Sequence, residues 1–353
     1  MTRAEWRERI EAALLPPAIA LLVALVAGDL LILAVGQSPA AVYRLLLQGT
    51  WGNWYGFGQV LYKTTTLIAT GLAVSLGLRA GLFNIGAEGQ LAAGGFGAAL
   101  MGLWLPAGTP AVIAIVACAL MAMLFGGAVG WVPGALRARF GAHEVITTIM
   151  LNFIVLALLN WIIVAHLRVP ETLHTPEIRA GAVPRLSAMM PVFHGSAASF
   201  TIVLLLAAAA GTWWYLFRTR SGYELRAVGL QPDAAEYGGV RAPATWRRAL
   251  MLSGVLAGLG GVNFVLGYKH YYEEGFAGGA GFLGIAVALV GRNHPAGVVL
   301  AALFFATLSQ GGLAVNAVVP KQLVEVLQGV IILAVAASVP EVRRAIAAGR
   351  RRD

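Results

Sequence analysis

Ala111-Val-Ile-Ala-Ile-Val-Ala-Cys-Ala-Leu-Met-Ala-Met-Leu-Phe-Gly-Gly-Ala-Val-Gly130 runs its whole length without a charged residue. A helix rises 1.5 Å per residue, so about 20 such residues cross a hydrocarbon layer of roughly 30 Å. The stretch reads as a membrane span, and nine more follow from the same criterion. The ten predicted spans are 18–35, 59–78, 88–105, 111–130, 145–165, 199–217, 249–268, 279–291, 296–312 and 321–339. The span 279–291 is too short to cross alone and 88–105 is crowded with glycine, so both are predicted to be broken or partial helices. The expected fold is all-α: a polytopic membrane protein of about ten transmembrane helices in a single transmembrane domain covering 1–353.

Composition points the same way. Of 353 residues, 59% are hydrophobic and only 12% charged, with a mean hydropathy of +0.77. A soluble domain carries about 25% charge, so this chain lacks the charge to cover a soluble surface. Disordered, collagen-like and disulfide-scaffold classes are excluded by the same figures. The single cysteine, Cys118, sits in an apolar run and forms no intrachain bridge. The net charge of +9 raises nucleic-acid binding, but the basic residues lie between apolar runs with no aromatic-interleaved stripe, so no nucleic-acid partner is expected.

The distribution of lysine and arginine sets the orientation. With the N-terminus inside, only Arg44, Lys63, Arg168, Arg179, Arg185, Lys269 and Lys321 of the 25 basic residues fall elsewhere than in cytoplasmic segments. Both termini are therefore expected in the cytoplasm, with 1–17 as N-terminal tail and 340–353 as a basic C-terminal tail. The opening 1–36 has a basic head and an apolar stretch, but it also carries Glu5, Glu8 and Glu11 and ends in no small-x-small cleavage site. It is read as a retained first helix. Residues 166–198 form an extracytoplasmic loop and 218–248 a basic cytoplasmic one. They divide the spans five and five, so any internal duplication would be inverted.

Four segments stand out by their polar groups, the first of them at bilayer depth. In Asn84-Ile-Gly-Ala-Glu-Gly-Gln90, preceded by Phe83, a carboxylate and two amides sit among glycines between apolar runs. A charge there costs at least about 2.5 kcal/mol unless it faces protein or water. Phe83, Asn84, Glu88 and Gln90 are candidate pathway residues. Equally, Glu88 fits a structural cap on a broken helix or a partner for Arg79. His143-Glu-Val-Ile-Thr-Thr-Ile-Met-Leu-Asn152 has Thr147 where a zinc-protease helix needs its second histidine, so no metal is expected. Glu144 reads as a helix start and Asn152 as facing either the pathway or another helix. In the inside loop, Pro232-Asp-Ala-Ala-Glu-Tyr237 reads as a short helix stopped by Gly238-Gly239, suited either to docking another subunit or to simple connection. Glu273-Glu274, beside Lys269 and His270, reads as a solvated cluster at the outer rim. No Gly-x-x-x-x-Gly-Lys-Ser/Thr loop is present. The nearest approach, Gly58 to Lys63-Thr64, has Tyr62 where glycine is required.

Taken in order, Asn84–Gln90, His143–Asn152, Gly222-Tyr-Glu-Leu-Arg-Ala-Val-Gly229 and Gly278-Gly-Ala-Gly-Phe-Leu-Gly-Ile-Ala-Val-Ala-Leu-Val-Gly291 resemble bacterial ATP-binding-cassette importer permeases. The branch is that of nucleoside and simple-sugar uptake, related to ribose and branched-chain amino-acid permeases. The resemblance runs from about Lys63 to Val339. It implies a non-enzymatic translocation subunit in the bacterial inner membrane. It also implies a cytoplasmic ATPase, a second and related but non-identical permease, and an extracytoplasmic or lipid-anchored binding protein. The chain itself would need no cofactor, since ATP is used by the ATPase. By the same resemblance the 222–240 loop docks the ATPase, through Gly222, Glu224, Arg226, Gly229, Asp233, Ala235, Glu236 and Gly239. Nucleosides are the expected substrate. Simple sugars, or an ion-coupled transporter with Glu88 as coupling carboxylate, are the alternatives, while an intramembrane enzyme lacks any nucleophile–base or metal constellation.

Overall fold

The computed structural model describes residues 22–23, 25–320, 322–331 and 333. The predicted tails 1–17 and 340–353, and parts of the first and last predicted spans, lie outside these residues. Among the described residues every regular element is helical, and the only β contacts are the isolated bridges His174↔Glu273 and Arg185↔Ser199. The helices are α1 (Leu25–Ala34), α2 (Pro39–Thr50), α3 (Trp54–Arg79), α4 (Ala87–Trp104), α5 (Ala111–Phe140), α6 (Glu144–Ile162), α7 (Thr201–Arg218), α8 (Arg220–Leu230), α9 (Pro232–Tyr237), α10 (Ala242–Phe264), α11 (Ala280–Val290), α12 (Pro295–Ala314) and α13 (Gln322–Ile331). Six are long and apolar enough to cross a membrane, or seven if the bent pair α1–α2 is one span. The protein is a multi-pass membrane protein.

Several elements differ from the sequence reading. Helix α1 lies within the predicted first span 18–35, and just beyond it α1 and α2 meet at 110°, with Gly36 in the left-handed region at φ +76°. Helix α2 falls between the first two predicted spans, where no element was assigned. Pro39 at its first turn favours helix initiation, and only Val42 and Thr50 are buried in it. Helix α5 continues ten residues beyond the predicted 130, because Arg137 and Arg139 extend a helix past the apolar layer as readily as they end one. Gly141, at φ +65°, then closes it. Helix α10 starts at Ala242 rather than 249. The glycine-rich 88–105 was predicted to be broken, yet α4 is continuous. The break falls just before it, at 80–86, and the crowded glycines serve packing instead. Helix α11 is short, as expected, at 11 residues.

The chain forms two compact units, with boundaries inside α3 and α12. One comprises described residues up to Phe57 and from Thr307 onward. Its core gathers Ile32, Val42, Val315 and Val319, and Tyr43 donates to Asp29 at 2.8 Å. The other, Gly58–Ala306, carries all the candidate site residues. Helix α4 lies at its centre with most of its residues buried, against α5, α6, α10 and α11. Around that centre α5, α6 and α7 show apolar side chains such as Leu120, Leu124, Phe153, Ile154, Leu158 and Val203.

The central helices approach backbone to backbone. A methyl group on Gly258 of α10 would lie 2.5 Å from the Ala122 carbonyl and 2.9 Å from the Gly126 Cα of α5. Gly94 of α4 likewise has its space filled by the Gly258 backbone. Apolar burial gives little drive for helix association in lipid, so close van der Waals approach supplies it. Adding a side chain here forces a backbone shift costing about 1–3 kcal/mol. Gly258→Val is therefore expected to cut the yield of monodisperse permease in mild detergent about tenfold. Gly211→Val on α7, where nothing lies within 4 Å, should leave it unchanged. Size-exclusion chromatography of both variants reads the difference.

Candidate functional site

Helix α3 ends at Arg79 and the chain reverses through 80–86 before α4. Gly81, at φ +74°, makes the turn. A non-helical segment exposes backbone groups that the membrane interior does not solvate, and side chains of this unit take them. The Asn84 carbonyl oxygen accepts from Gly86 N at 2.9 Å and from Gln90 Nε2 at 3.2 Å. Its amide donates to Gln90 Oε1 at 2.9 Å and to Ser253 Oγ of α10 at 2.7 Å. Ser253 in turn donates to the Ala73 carbonyl of α3. Asn152 of α6 accepts from Gly89 N at 2.9 Å and donates to the Ile85 carbonyl at 2.8 Å. Thr148 accepts from Ile85 N at 3.3 Å.

Glu88 stands in the first turn of α4 but caps another helix. Its carboxylate accepts from Gly279 N at 2.8 Å and Gly281 N at 2.7 Å, the open N–H groups at the start of α11. Gly281 packs directly on the Glu88 backbone. Arg79 does not pair with Glu88. Its Nε donates to the Asn293 carbonyl at 2.9 Å. The structure thus brings together Asn84, Glu88, Gln90 and Asn152, all buried and all hydrogen-bonded within the protein, while Phe83 is only partly buried. Sequence reading missed Ser253, Thr148 and the Gly279–Gly281 backbone. Ser253 had one visible signal: it is a lone hydroxyl in an apolar, glycine-rich run.

The second group of candidates lies at the end of the unit where α3 stops. Thr219 caps α8 by accepting from Gly222 N at 3.0 Å, and Gly222 packs on the Tyr215 carbonyl. Glu224 is held by Arg248 of α10 at 3.2 Å and by Arg220 at 3.1 Å. Arg248's hydrogen bond, then that of Arg220, keep the Glu224 carboxyl below its usual range. Arg226 lies over the Phe217 ring at 5.1 Å. Gly229 sits against the Arg79 carbonyl, and Gly81 in turn faces the Gly229 backbone. Helix α8 therefore ends on the turn that begins the Asn84 segment. Beyond it, Ala235 is buried with Val228 and Ala242, while Asp233, Glu236 and Gly239 are exposed. Leu230 is 86% and Tyr237 99% exposed. Glu144 begins α6 as expected and pairs with Arg137 at 3.4 Å.

Residues 56–336 match the family described as branched-chain amino acid transport system / permease component. The guanosine ABC transporter permease protein NupP of Bacillus subtilis is 38% identical over 328 residues, covering 92% of this chain and 93% of NupP. The nucleoside ABC transporter permease protein NupB of Lactococcus lactis is 34% identical, covering 91% and 90%. The glucose ABC transporter permease protein TsgB13 of Haloferax volcanii is 33% identical, covering 90% and 85%.

Glu88→Gln leaves one acceptor and turns an N–H₂ toward a backbone N–H. A stability loss of about 1–3 kcal/mol is expected, read as a lower melting temperature of the purified protein.

The Glu224 pairing has a pH signature. A carboxyl depressed on folding adds stability above its unfolded value of about 4.3, and that stability is lost as pH falls through the lower folded value. The melting-temperature gap between wild type and Glu224→Gln should hold constant from pH 8 to about 5 and close below about pH 4.

Proposed function

The chain belongs to the branched-chain amino acid transport system / permease component family, and from that membership we propose that it carries nucleosides across the membrane as the translocation subunit of an ATP-binding-cassette importer. It is a transport subunit and not an enzyme. The observation that carries the nucleoside reading is the near full-length similarity to permeases named for guanosine and nucleosides. A sugar is the second reading, favoured by the similarity to a glucose permease. Ion-coupled transport with Glu88 as the coupling group loses its support, because the family is ATP-driven and the Glu88 carboxylate is occupied as the cap of α11.

Permeases of this family work with an ATPase and a substrate-binding protein. The proposed assembly adds a second, related but non-identical permease and a lipid-anchored binding protein, in a bacterial inner membrane. The ten-span count, the inverted five-plus-five arrangement and the cytoplasmic placement of both termini belong to the same proposal. Its support for sidedness is the clustering of Arg137, Arg220, Arg226, Arg241, Arg247 and Arg248 around one end of the main unit, where positive charge is favoured inside.

In the proposed cycle the binding protein releases solute to the outer face, and ATP closes the ATPase dimer against α9. The exposed Leu230 and Tyr237 supply the apolar contact, with Asp233 and Glu236 at its rim. Glu224–Arg248 and the Gly229–Arg79 backbone contact tie α8 to α10 and α3. Motion of α8–α9 thus reaches the 80–86 turn and, through Asn84, Asn152 and Glu88, the starts of α4 and α11 and the middle of α6. Phe83, Asn84, Glu88, Gln90 and Asn152 are proposed to shape the pathway by holding this turn.

Proteoliposomes holding the permease with its ATPase and binding protein are expected to accumulate labelled guanosine only with ATP. Accumulation of glucose instead would favour the sugar reading, and uptake under an ion gradient without the ATPase would overturn both. For docking, Tyr237→Ala combined with Leu230→Asp should lower co-purified ATPase by about tenfold or more at constant permease level. Equal recovery would remove α9 as the docking element.

A further inference from the structure

The exposed mid-span faces of α5, α6 and α7 carry leucine, isoleucine, valine and phenylalanine, as lipid contact demands. Helix α3 does not follow that rule. On the half of α3 far from Arg79, Gln59, Tyr62, Lys63 and Thr66 are all partly exposed. Their spacing of three, four and seven residues puts them on one helical face. Lys63 lies nine residues into the helix, roughly 14 Å along its axis, and is the fifth residue of the predicted span 59–78. A lone lysine there would lift its ammonium to the interface, but this one shares a row with an amide and two hydroxyls that continues inward to Thr66. A polar row at this depth fits a watery cavity.

The same face joins an aromatic cluster. The Tyr62 and Tyr268 ring centroids are 5.2 Å apart, and Tyr268 leads through Phe264 at 6.2 Å to Phe276 at a further 4.7 Å. Asn263 fixes this arrangement from α10. Its amide donates to the Tyr62 carbonyl at 2.9 Å and to Thr66 Oγ1 at 3.0 Å, and its carbonyl oxygen accepts from Thr201 at 2.6 Å. Thr66 is about 20 Å along the helix from Arg79, so this surface lies well away from the α8 contact.

We propose that Gln59, Tyr62, Lys63 and Thr66 of α3, with Tyr268 and Phe276, form the solute-contacting wall of the translocation pathway for a planar, hydrogen-bonding ring such as a nucleobase. Aromatic faces accept any base by stacking, and Gln59 and Lys63 offer donors to carbonyl and ring-nitrogen edges. At the Tyr268 edge of this surface Arg185 and Lys269 lie over the ring at 5.4 and 5.5 Å, adding cationic donors there. The choice of a nucleobase rests on the nucleoside reading above, whereas the assignment of the wall to the aqueous pathway does not.

Two measurements on the assembled transporter test this. In the first, Gln59→Cys, Lys63→Cys and Thr66→Cys are exposed to a charged, membrane-impermeant methanethiosulfonate, with Ile154→Cys and Leu206→Cys as lipid-facing controls. Cys118 is buried and gives a silent background. The three α3 variants should label and the two controls should not. Absence of α3 labelling in both the nucleotide-free and the vanadate-trapped states would overturn the proposal and assign the face to a second permease subunit.

In the second, Tyr62→Leu should lower guanosine uptake per assembled transporter by about tenfold or more, while Tyr62→Phe stays within about threefold because the ring is kept. Wild-type uptake in the Leu variant would overturn the stacking role. If the wild type carried glucose and not guanosine while the α3 positions still labelled, the nucleoside reading would fall and the wall would stand.

Discussion

Hydrocarbon offers no hydrogen-bond partner, and that constraint governs the centre of this molecule. At 80–86 the chain leaves helical geometry and reverses inside the protein, and α11 begins nearby with open backbone N–H groups. Each such group left unmatched would cost about 1–3 kcal/mol. The protein meets the constraint with side chains from other helices. Asn84 joins the turn to α10 through Ser253, Asn152 and Thr148 join it to α6, and Glu88 satisfies the start of α11. Breaking a helix within the membrane and buttressing it with polar residues are one structural act.

Glycine makes those short hydrogen bonds reachable. Side chains of two or three atoms span the gap only if the helices approach closely. Gly94, Gly126 and Gly258 allow α4, α5 and α10 to touch through backbone, which brings Ser253 within reach of Asn84. The same logic operates at the far end of α8. Gly229 lies on Arg79 and Gly81, so the helix contacts the turn without a side chain between them. Motion at that contact is transmitted directly, because close-packed backbone does not deform continuously.

How much of this was legible in the sequence depended on distance along the chain. Apolar runs gave the span positions of α3, α6, α7 and α12 closely, because span length is set locally by membrane thickness. The special character of Asn84–Gln90 was also local: polar groups beside glycines in an apolar region. The partners were not. Ser253 is 169 residues from Asn84 and Gly281 is 193 from Glu88, so no window could pair them, and Glu88 could be weighed only against neighbours such as Arg79. Boundaries beyond the apolar layer were misplaced for a different reason. Arginine in α5 and α10 marks where the lipid ends, not where the helix ends. Helix α2 was missed because its amphipathic pattern lies in a segment read only for span length.

Polarity inside the membrane has two forms here, and the structure separates them. Asn84, Gln90, Asn152 and Glu88 are buried, with their acceptors and donors committed to protein, so they serve by fixing geometry. Gln59, Tyr62, Lys63 and Thr66 keep part of their surface open. A sequence presents both sets alike, as polar residues in apolar runs, and the more conspicuous set drew the pathway assignment. A group whose hydrogen bonds are already made gains little from a passing solute and loses stability by releasing them. The open set also makes contacts, as Thr66 does with Asn263 at 3.0 Å, but its exposed surface can exchange water for solute at small net cost. The buried set therefore holds the turn that moves, and the open set is the proposed surface along which the solute travels.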